Sequence, residues 1–311
     1  MNRNRLVGVL LVALSATAFG AMAIFARYAY ADGAGPVAVL FLRFLLAGTV
    51  LAVSMLITRR RWPRGRNLLV LGAMGGLFYV GQSLSFFTAL NHAAAGLVAL
   101  LLYLYPFLVT VLGALLLRRR LTVARMCAVL LALVGTALTL GGHLSGEPLG
   151  IALGLLAALI YSVYFLVGSL VLDREDPIAS ATVVMLAAAI VFGGIAVAFP
   201  TPFPATLSGW LAVGAIAVVS TVVAMVSLFA GIRRLGAADA ATLSTLEPVV
   251  TVLLAAVFLA EPLQANQLLG GAVILSAVIW LTRAEASPAA DATVQAPQPA
   301  AEGSTGRSSA L

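Results

Sequence analysis

Lysine is missing from this chain: all eighteen basic residues are arginine. Without lysine there is no P-loop to cradle a nucleotide and no Schiff base, so ATP-driven work and imine chemistry are excluded from the chain. Cysteine occurs once, at Cys127 within an apolar run, which excludes a disulfide and leaves a packing role. Histidine occurs twice, at His92 and His143, too few and too far apart for a metal site. Charge of either sign is scarce, at 9% of residues. No Gly-x-Ser-x-Gly motif and no metal-binding His/Glu pair is present, so nothing points to hydrolysis.

What fills the chain instead is apolar. It is 62% hydrophobic, with a mean hydropathy of +1.10, far from the balance of a soluble domain. A helix needs about 20 apolar residues to cross roughly 30 Å of hydrocarbon. Ten such runs are present: Leu6–Ala29, Pro36–Ile57, Leu68–Leu90, Ala94–Leu117, Val123–Gly141, Leu149–Val171, Ile178–Phe199, Gly209–Gly231, Asp239–Leu259 and Ala265–Leu281. Their length and continuity predict helices, since a membrane barrel shows short alternating segments. The first run lacks a small-residue cleavage site and reads as a spanning helix, not as a removed signal. The pI of 10.3 then reports topology, because no soluble basic face exists to hold nucleic acid.

The arginines lie on one side of that topology. With a cytosolic amino terminus, the inner segments hold Arg3, Arg5, Arg59, Arg60, Arg61, Arg64, Arg66, Arg118, Arg119, Arg120, Arg125, Arg174, Arg233, Arg234 and Arg283. The outer loops hold none, apart from Arg27 near the end of the first run. The positive-inside rule predicts such an asymmetry and puts both termini in the cytosol. The expected location is a bacterial inner membrane.

The chain also repeats itself. A shift of 142 residues, the separation of Pro106 and Pro248, also matches Gly8 with Gly150, Ala16 with Ala158, Gly72-Ala73 with Gly214-Ala215 and Leu121 with Leu263. Each unit holds five runs, and an odd number turns the second copy upside down. Aligned loops agree: Asn91-His92 falls on Arg233-Arg234, and Arg59-Arg60-Arg61 on Thr201-Pro202-Phe203. The expected fold is therefore an all-α membrane protein of ten transmembrane helices, built as two inverted-topology five-helix repeats. The units are residues 1–141 and 142–283; residues 284–311, rich in Ala, Ser, Pro and Gly, read as a disordered cytosolic tail. Inverted repeats characterise secondary transporters, which bind solute near the midplane where the repeats meet.

Leu104-Tyr105-Pro106 and Leu246-Glu247-Pro248-Val249 in the fourth and ninth runs, with Phe258-Leu259-Ala260-Glu261 closing the ninth, resemble the EamA domains of the drug/metabolite transporter superfamily. The resemblance covers about residues 6–283. The aromatic-rich third and sixth runs are most similar to the broad-range amino-acid exporters of that superfamily. It implies a ten-helix carrier in which helices 1, 3, 4, 6, 8 and 9 enclose a central cavity and helices 5 and 10 stay peripheral. The first repeat departs from the family's acidic residue after helix 4, having Arg119 there, which reads as topology.

Candidate solute-binding residues follow from helical spacing. Tyr79, Gln82, Ser83 and Phe86 share one face of the third run, and Tyr161, Tyr164, Phe165 and Gly168 one face of the sixth. Mid-membrane Tyr and Gln need partners that lipid does not supply, so these faces point to a cavity. Tyr103 and Tyr105 flank Pro106, whose ring frees backbone carbonyls. Such aromatics suit an apolar side chain, or an ammonium through cation–π contact. The serines of the eighth run, Ser220 and Ser227, read first as helix glue. Gly72-x-x-x-Gly76 and Gly150-x-x-x-Gly154 read as close helix contacts.

Arg27, Arg43 and Glu247 are charges inside the runs. Glu247 lies about 12 Å beyond Asp239 and Arg43 about 10 Å beyond Pro36, at 1.5 Å per residue. Intramembrane charges are functional candidates. Two readings of Glu247 stay open: it meets a solute ammonium or a proton, or it pairs with an arginine or caps backbone freed by Pro248. Ser244, three residues before it, joins the candidate set. Asp239 reads as a helix-starting residue stabilised by the dipole. Pro106 and Pro248, in equivalent columns, are candidate hinges; tolerance of proline by membrane helices is the alternative.

The function expected is secondary export of amino acids, of broad range including aromatic ones, or of related small metabolites, by alternating access. Export of drugs or toxic aromatic cations is the alternative. A lipid-modifying membrane enzyme would need convergent polar residues near an interface, and none is found. No enzyme activity, cofactor, metal or nucleic acid is expected. The expected partners are a small-molecule substrate and the lipid bilayer, with a monomer as the working unit.

Overall fold

The computed structural model of the chain describes residues 3–118, 121–141, 145–260 and 262–284. The readings of Arg119, Arg120, His143, Glu261 and the tail after Ala284 lie outside the described residues. Among the described residues everything regular is helical, apart from one isolated bridge between Ala93 and Gly146.

Among the described residues ten helices are long and apolar enough to cross a membrane: α1 (Arg3–Ala31), α2 (Pro36–Ile57), α3 (Gly65–Ala89), α4 (Leu97–Leu117), α5 (Val123–Leu140), α6 (Pro148–Leu172), α7 (Pro177–Ala198), α8 (Leu207–Leu235), α9 (Ala237–Leu259) and α10 (Ala265–Arg283). Local chemistry sets their ends. Pro36, Pro148 and Pro177 open α2, α6 and α7, where a missing N–H costs nothing. The Asp176 carboxylate caps α7 by accepting from the N–H groups of Ile178 (3.0 Å) and Ala179 (3.2 Å). Gly141 and Gly236, both at positive φ (47° and 83°), stop α5 and α8. Outward-facing Leu56, Ile190, Val197 and Val257 are exposed, as helices bathed in lipid require. The largest departure from the sequence reading is α8, which runs past Gly231 to Leu235. Its last turn carries Arg233 and Arg234, which end hydropathy but not helix.

Equivalent helices of the two halves pair with one another. α2 packs on α7, α4 on α9 and α5 on α10, so each of these pairs joins equivalent helices of the two halves. The contact of α3 with α6 is matched by that of α8 with α1. Backbone detail repeats as well. α4 and α9 both end on a left-handed residue, Arg118 (φ 50°) and Ala260 (φ 53°), one repeat shift apart. α3 and α8 both contain a six-residue π-helical segment, Met74–Tyr79 and Val218–Val223.

Small residues set the tightest contacts, though not all those expected. Gly150 and Gly154 take up the backbone at His92 and the side chain of Leu101, where any Cβ would collide. Gly72 has open space around it and Gly76 ordinary contacts; the close approach belongs to Gly75, against the Val184 carbonyl of α7. The first Gly-x-x-x-Gly spacing therefore does not mark the contact, which falls one residue away on the π-helical segment. Cys127 is also displaced from its expected packing role, since it is exposed on the outer surface of α5.

Candidate functional site

Two faces of the bundle can be told apart by their polar contacts. On the arginine-rich face, α1, α5 and α9 begin together: Arg5 donates to Asp239 at 3.2 Å and Arg125 donates to it at 2.9 Å. Asp239 is only 1% exposed between them. Its part is thus an inter-helix ion pair in addition to a helix start. Arg60 to Asp176 (2.5 Å) and Asn67 to Glu175 (2.6 Å) lie on the same face. On the opposite face, Asp32 after α1 holds the start of α8. It accepts from the N–H groups of Ala205 (2.9 Å) and Thr206 (3.0 Å) and from the Thr206 hydroxyl (2.5 Å). These bonds, the hydroxyl's first, hold the Asp32 carboxyl below the ordinary carboxylate range. His92 and Glu147 meet on this face at 2.9 Å.

Between the faces lies a cavity of about 410 Å³, within the range of small-ligand sites. It extends to Tyr30, Phe87 and Leu140, near the ends of α1, α3 and α5, and so reaches toward the face that carries Asp32. Its other end is an aromatic floor: Tyr105 packs on Tyr161 (ring centroids 4.7 Å apart) and on Phe165 (5.2 Å). Beyond the floor come the buried Val109 and Leu166 and then the Asp239 ion pairs.

Helix irregularities shape the lining. α4 breaks at Tyr103-Leu104 and α9 at Ser244-Thr245, each a few residues before Pro106 or Pro248. Proline has no N–H to give, so the carbonyl of Leu102 loses its helical partner beside the cavity. α1 also breaks, at Ala21. There α9 comes close: the Thr251 hydroxyl reaches the carbonyls of Gly20 (3.1 Å) and Glu247 (3.0 Å).

Of the residues singled out by spacing, Tyr79, Gln82, Ser83, Phe86, Tyr103, Tyr105, Tyr161 and Glu247 line this one cavity, and so does Pro248. Tyr164 and Phe165 do not. They are buried behind it, Tyr164 against Tyr79 (5.8 Å) and Phe229 (6.3 Å). Tyr79 of α3 and Phe229 of α8 cover Tyr164, and Phe165 packs on Tyr105 of α4, so of this face only Tyr161 lines the cavity. Ser244 is not among the lining residues; its hydroxyl donates to the Ala240 carbonyl at 2.9 Å. Pro106 is buried outside the lining. Among the described residues the Glu247 carboxylate enters no ion pair and no hydrogen bond, so pairing with an arginine is not realised here.

Spacing alone did not find α2. Val39, Leu40 and Arg43 bring this helix into the lining, while α8 contributes only Ile216. The Arg43 Nε donates to the Thr221 hydroxyl at 2.8 Å and its Nη2 to the Tyr79 hydroxyl at 3.0 Å. Its guanidinium lies over the Phe44 ring, 4.9 Å from the centroid. The signal was the lone arginine in an apolar run; which helices it would face was not readable from α2.

The cavity is lined by tyrosines and by two opposite charges, and residues of both halves of the chain contribute to it. The model of the EamA-like transporter family matches residues 6–141 and again 148–283. An uncharacterized transporter of Bacillus subtilis, YcbK, is 31% identical over 289 residues, covering 86% of this chain and 90% of its own. The uncharacterized inner membrane transporter YedA of Escherichia coli K12 is 28% identical over 248 residues, 77% of this chain and 79% of its own. A crystal structure of a protein 24% identical in sequence superposes with a TM-score of 0.76 over 90% of this chain and 99% of that one, a likeness of fold. On the two family matches, one in each half, the chain belongs to the EamA-like transporter family and is a membrane transporter, with ten candidate spanning helices among the described residues.

Proposed function

We propose that the chain is a secondary carrier that exports amino acids, aromatic ones included, or related small metabolites across a bacterial inner membrane by alternating access. The observation that carries this reading is the cavity itself. It reaches one face, is sealed from the other by an aromatic floor and the Asp239 ion pairs, and sits where the repeats meet. That is one of the two end states a carrier needs. Tyr79, Phe86, Tyr103 and Tyr161 would hold the apolar side chain of the solute, and the unpaired Glu247 its ammonium. The orientation that fits places both termini and the arginine-rich face in the cytosol, with units 1–141 and 142–283 inserted in opposite senses. An inner-membrane relative supports the location.

Export of aromatic cations is the second reading, favoured by Glu247 standing among tyrosine rings. Proteoliposomes containing the purified chain test both. Counterflow of labelled phenylalanine or leucine supports the amino-acid reading; movement of a labelled quaternary aromatic cation alone supports the second. Reporter fusions after Asn91 and after Arg233 check the orientation and should report opposite sides of the membrane. Reports from one side would end the inverted-repeat reading.

A further inference from the structure

Among the described residues the guanidinium of Arg43 has no carboxylate at ion-pair distance; Glu247 shares its cavity but makes no bridge to it. The Arg43 side chain is 5% exposed at mid-depth in α2, where an unpaired ion is costly. Both its hydrogen-bond partners are neutral hydroxyls, Thr221 and Tyr79. A guanidinium carries five donor hydrogens in a planar fork, and these two bonds use only two of them. The remaining edge belongs to a side chain that lines the cavity.

A planar fork held by two neutral anchors, with donors to spare beside the cavity, matches a carboxylate, which it can grip through two parallel bonds. We infer that Arg43 is the carboxylate-recognition residue of the cavity and that the transported solute carries a carboxylate group. This rests on the cavity being the solute site, as proposed above. It also separates the two readings given there, because an aromatic cation offers Arg43 nothing and is repelled by it. Arg43 has a second property. Its two anchors sit on the π-helical segments of α3 and α8, one in each half of the chain. A carboxylate drawing on the guanidinium therefore pulls on both halves at once, and so couples occupancy to the placement of α3 and α8 around Arg43.

The test uses the full chain in nanodiscs and three probes of similar size: L-phenylalanine, 3-phenylpropionate, which lacks the ammonium, and phenethylamine, which lacks the carboxylate. In the wild-type protein the two carboxylates are expected to bind at least about ten-fold more tightly than phenethylamine, one good charge-assisted contact being worth that much. Arg43→Gln should remove this advantage by weakening the two carboxylates while phenethylamine binds no more weakly than before, and Arg43→Lys should restore part of it. Phenethylamine binding to the wild type as tightly as L-phenylalanine overturns the role of Arg43 while leaving the cavity as the site. Equal weakening of all three probes in Arg43→Gln does the same. No binding of any probe to the wild type overturns the amino-acid reading of the cavity and this inference with it. The wild-type comparison needs no variant to fold.

Discussion

The backbone carbonyl of Val184 in α7 fills the space that a methyl group on Gly75 would need, whereas nothing stands within 4 Å of the equivalent point on Gly72. The two glycines are three residues apart on α3, so they separate packing from propensity. Gly75→Ala must push α7 away and should destabilise the fold by about 1–3 kcal/mol. Gly72→Ala meets no neighbour and should be neutral or stabilising by about 0.5–1 kcal/mol. Unfolding of the two variants in detergent, compared side by side, reads the difference. Equal midpoints would mean that α3 and α7 do not meet as described.

Access to the cavity makes a second contrast. Single cysteines are placed after Cys127→Ala has removed the native thiol, which is exposed on α5. At Gln82, Phe86 or Tyr103 they should react quickly with a water-soluble thiol reagent in the membrane. Cysteine at Tyr164, buried behind Tyr79, or at Leu133 on α5, outside the lining, should react at least about ten-fold more slowly, because a thiolate forms poorly away from water. Uniform rates across the five positions would make the lining a packing surface.

The matched helix breaks predict a separation of binding from movement. Pro106→Ala and Pro248→Ala restore an N–H to α4 and α9 and favour continuous helices, removing a roughly 3 kcal/mol bias against them. Equilibrium binding of solute should stay within about two-fold of the parent, and transport in proteoliposomes should slow by about ten-fold or more. Parent-like transport in both variants would move the gating motion away from these prolines.

Asp239 seals the arginine-rich face with Arg5 from α1 and Arg125 from α5. Asp239→Asn keeps the shape and removes the charge, leaving two guanidinium groups without their shared anion, a change worth about 3–5 kcal/mol in buried pairs. The closed state should lose that support. A cysteine at Thr110, buried just inside this face, should then label from the arginine-rich side faster than in the Asp239 parent. Unchanged labelling would mean that the aromatic floor alone keeps this end shut.

On the opposite face Asp32 predicts a dependence on acidity. Its carboxyl is held below the ordinary value, chiefly by the Thr206 hydroxyl. A lowered folded value means that the stabilisation is complete above the unfolded value of about 3.9 and disappears as pH falls through the folded one. Thermal unfolding of wild type and Asp32→Asn should therefore differ near neutral pH and converge in strong acid. A difference that persists in acid would assign the effect to shape.

The ten helices were legible because one physical quantity, an uninterrupted run long enough to span hydrocarbon, decides them. The repeat was legible because Pro106 and Pro248 stand in the same register. The lining was legible only in part. Periodicity puts Tyr161, Tyr164 and Phe165 on one face of α6, but a face is wider than the strip that a neighbouring helix leaves open, so only Tyr161 reaches the cavity. The π-helical segments have no composition of their own: Met74–Tyr79 and Val218–Val223 share little sequence. Arg43 was visible as a misplaced charge, yet its partners Tyr79 and Thr221 lie on other helices, and only packing brings them together.

Duplication alone would make a container that looks the same after half a turn, and a solute in it would have no reason to prefer one pose to its reverse. The two cavity charges remove that degeneracy. One repeat shift carries Arg43 onto Met185 and Glu247 back onto Tyr105, so neither charge has a charged counterpart. The site thus has a head and a tail, and a solute carrying both charges is read in a single direction.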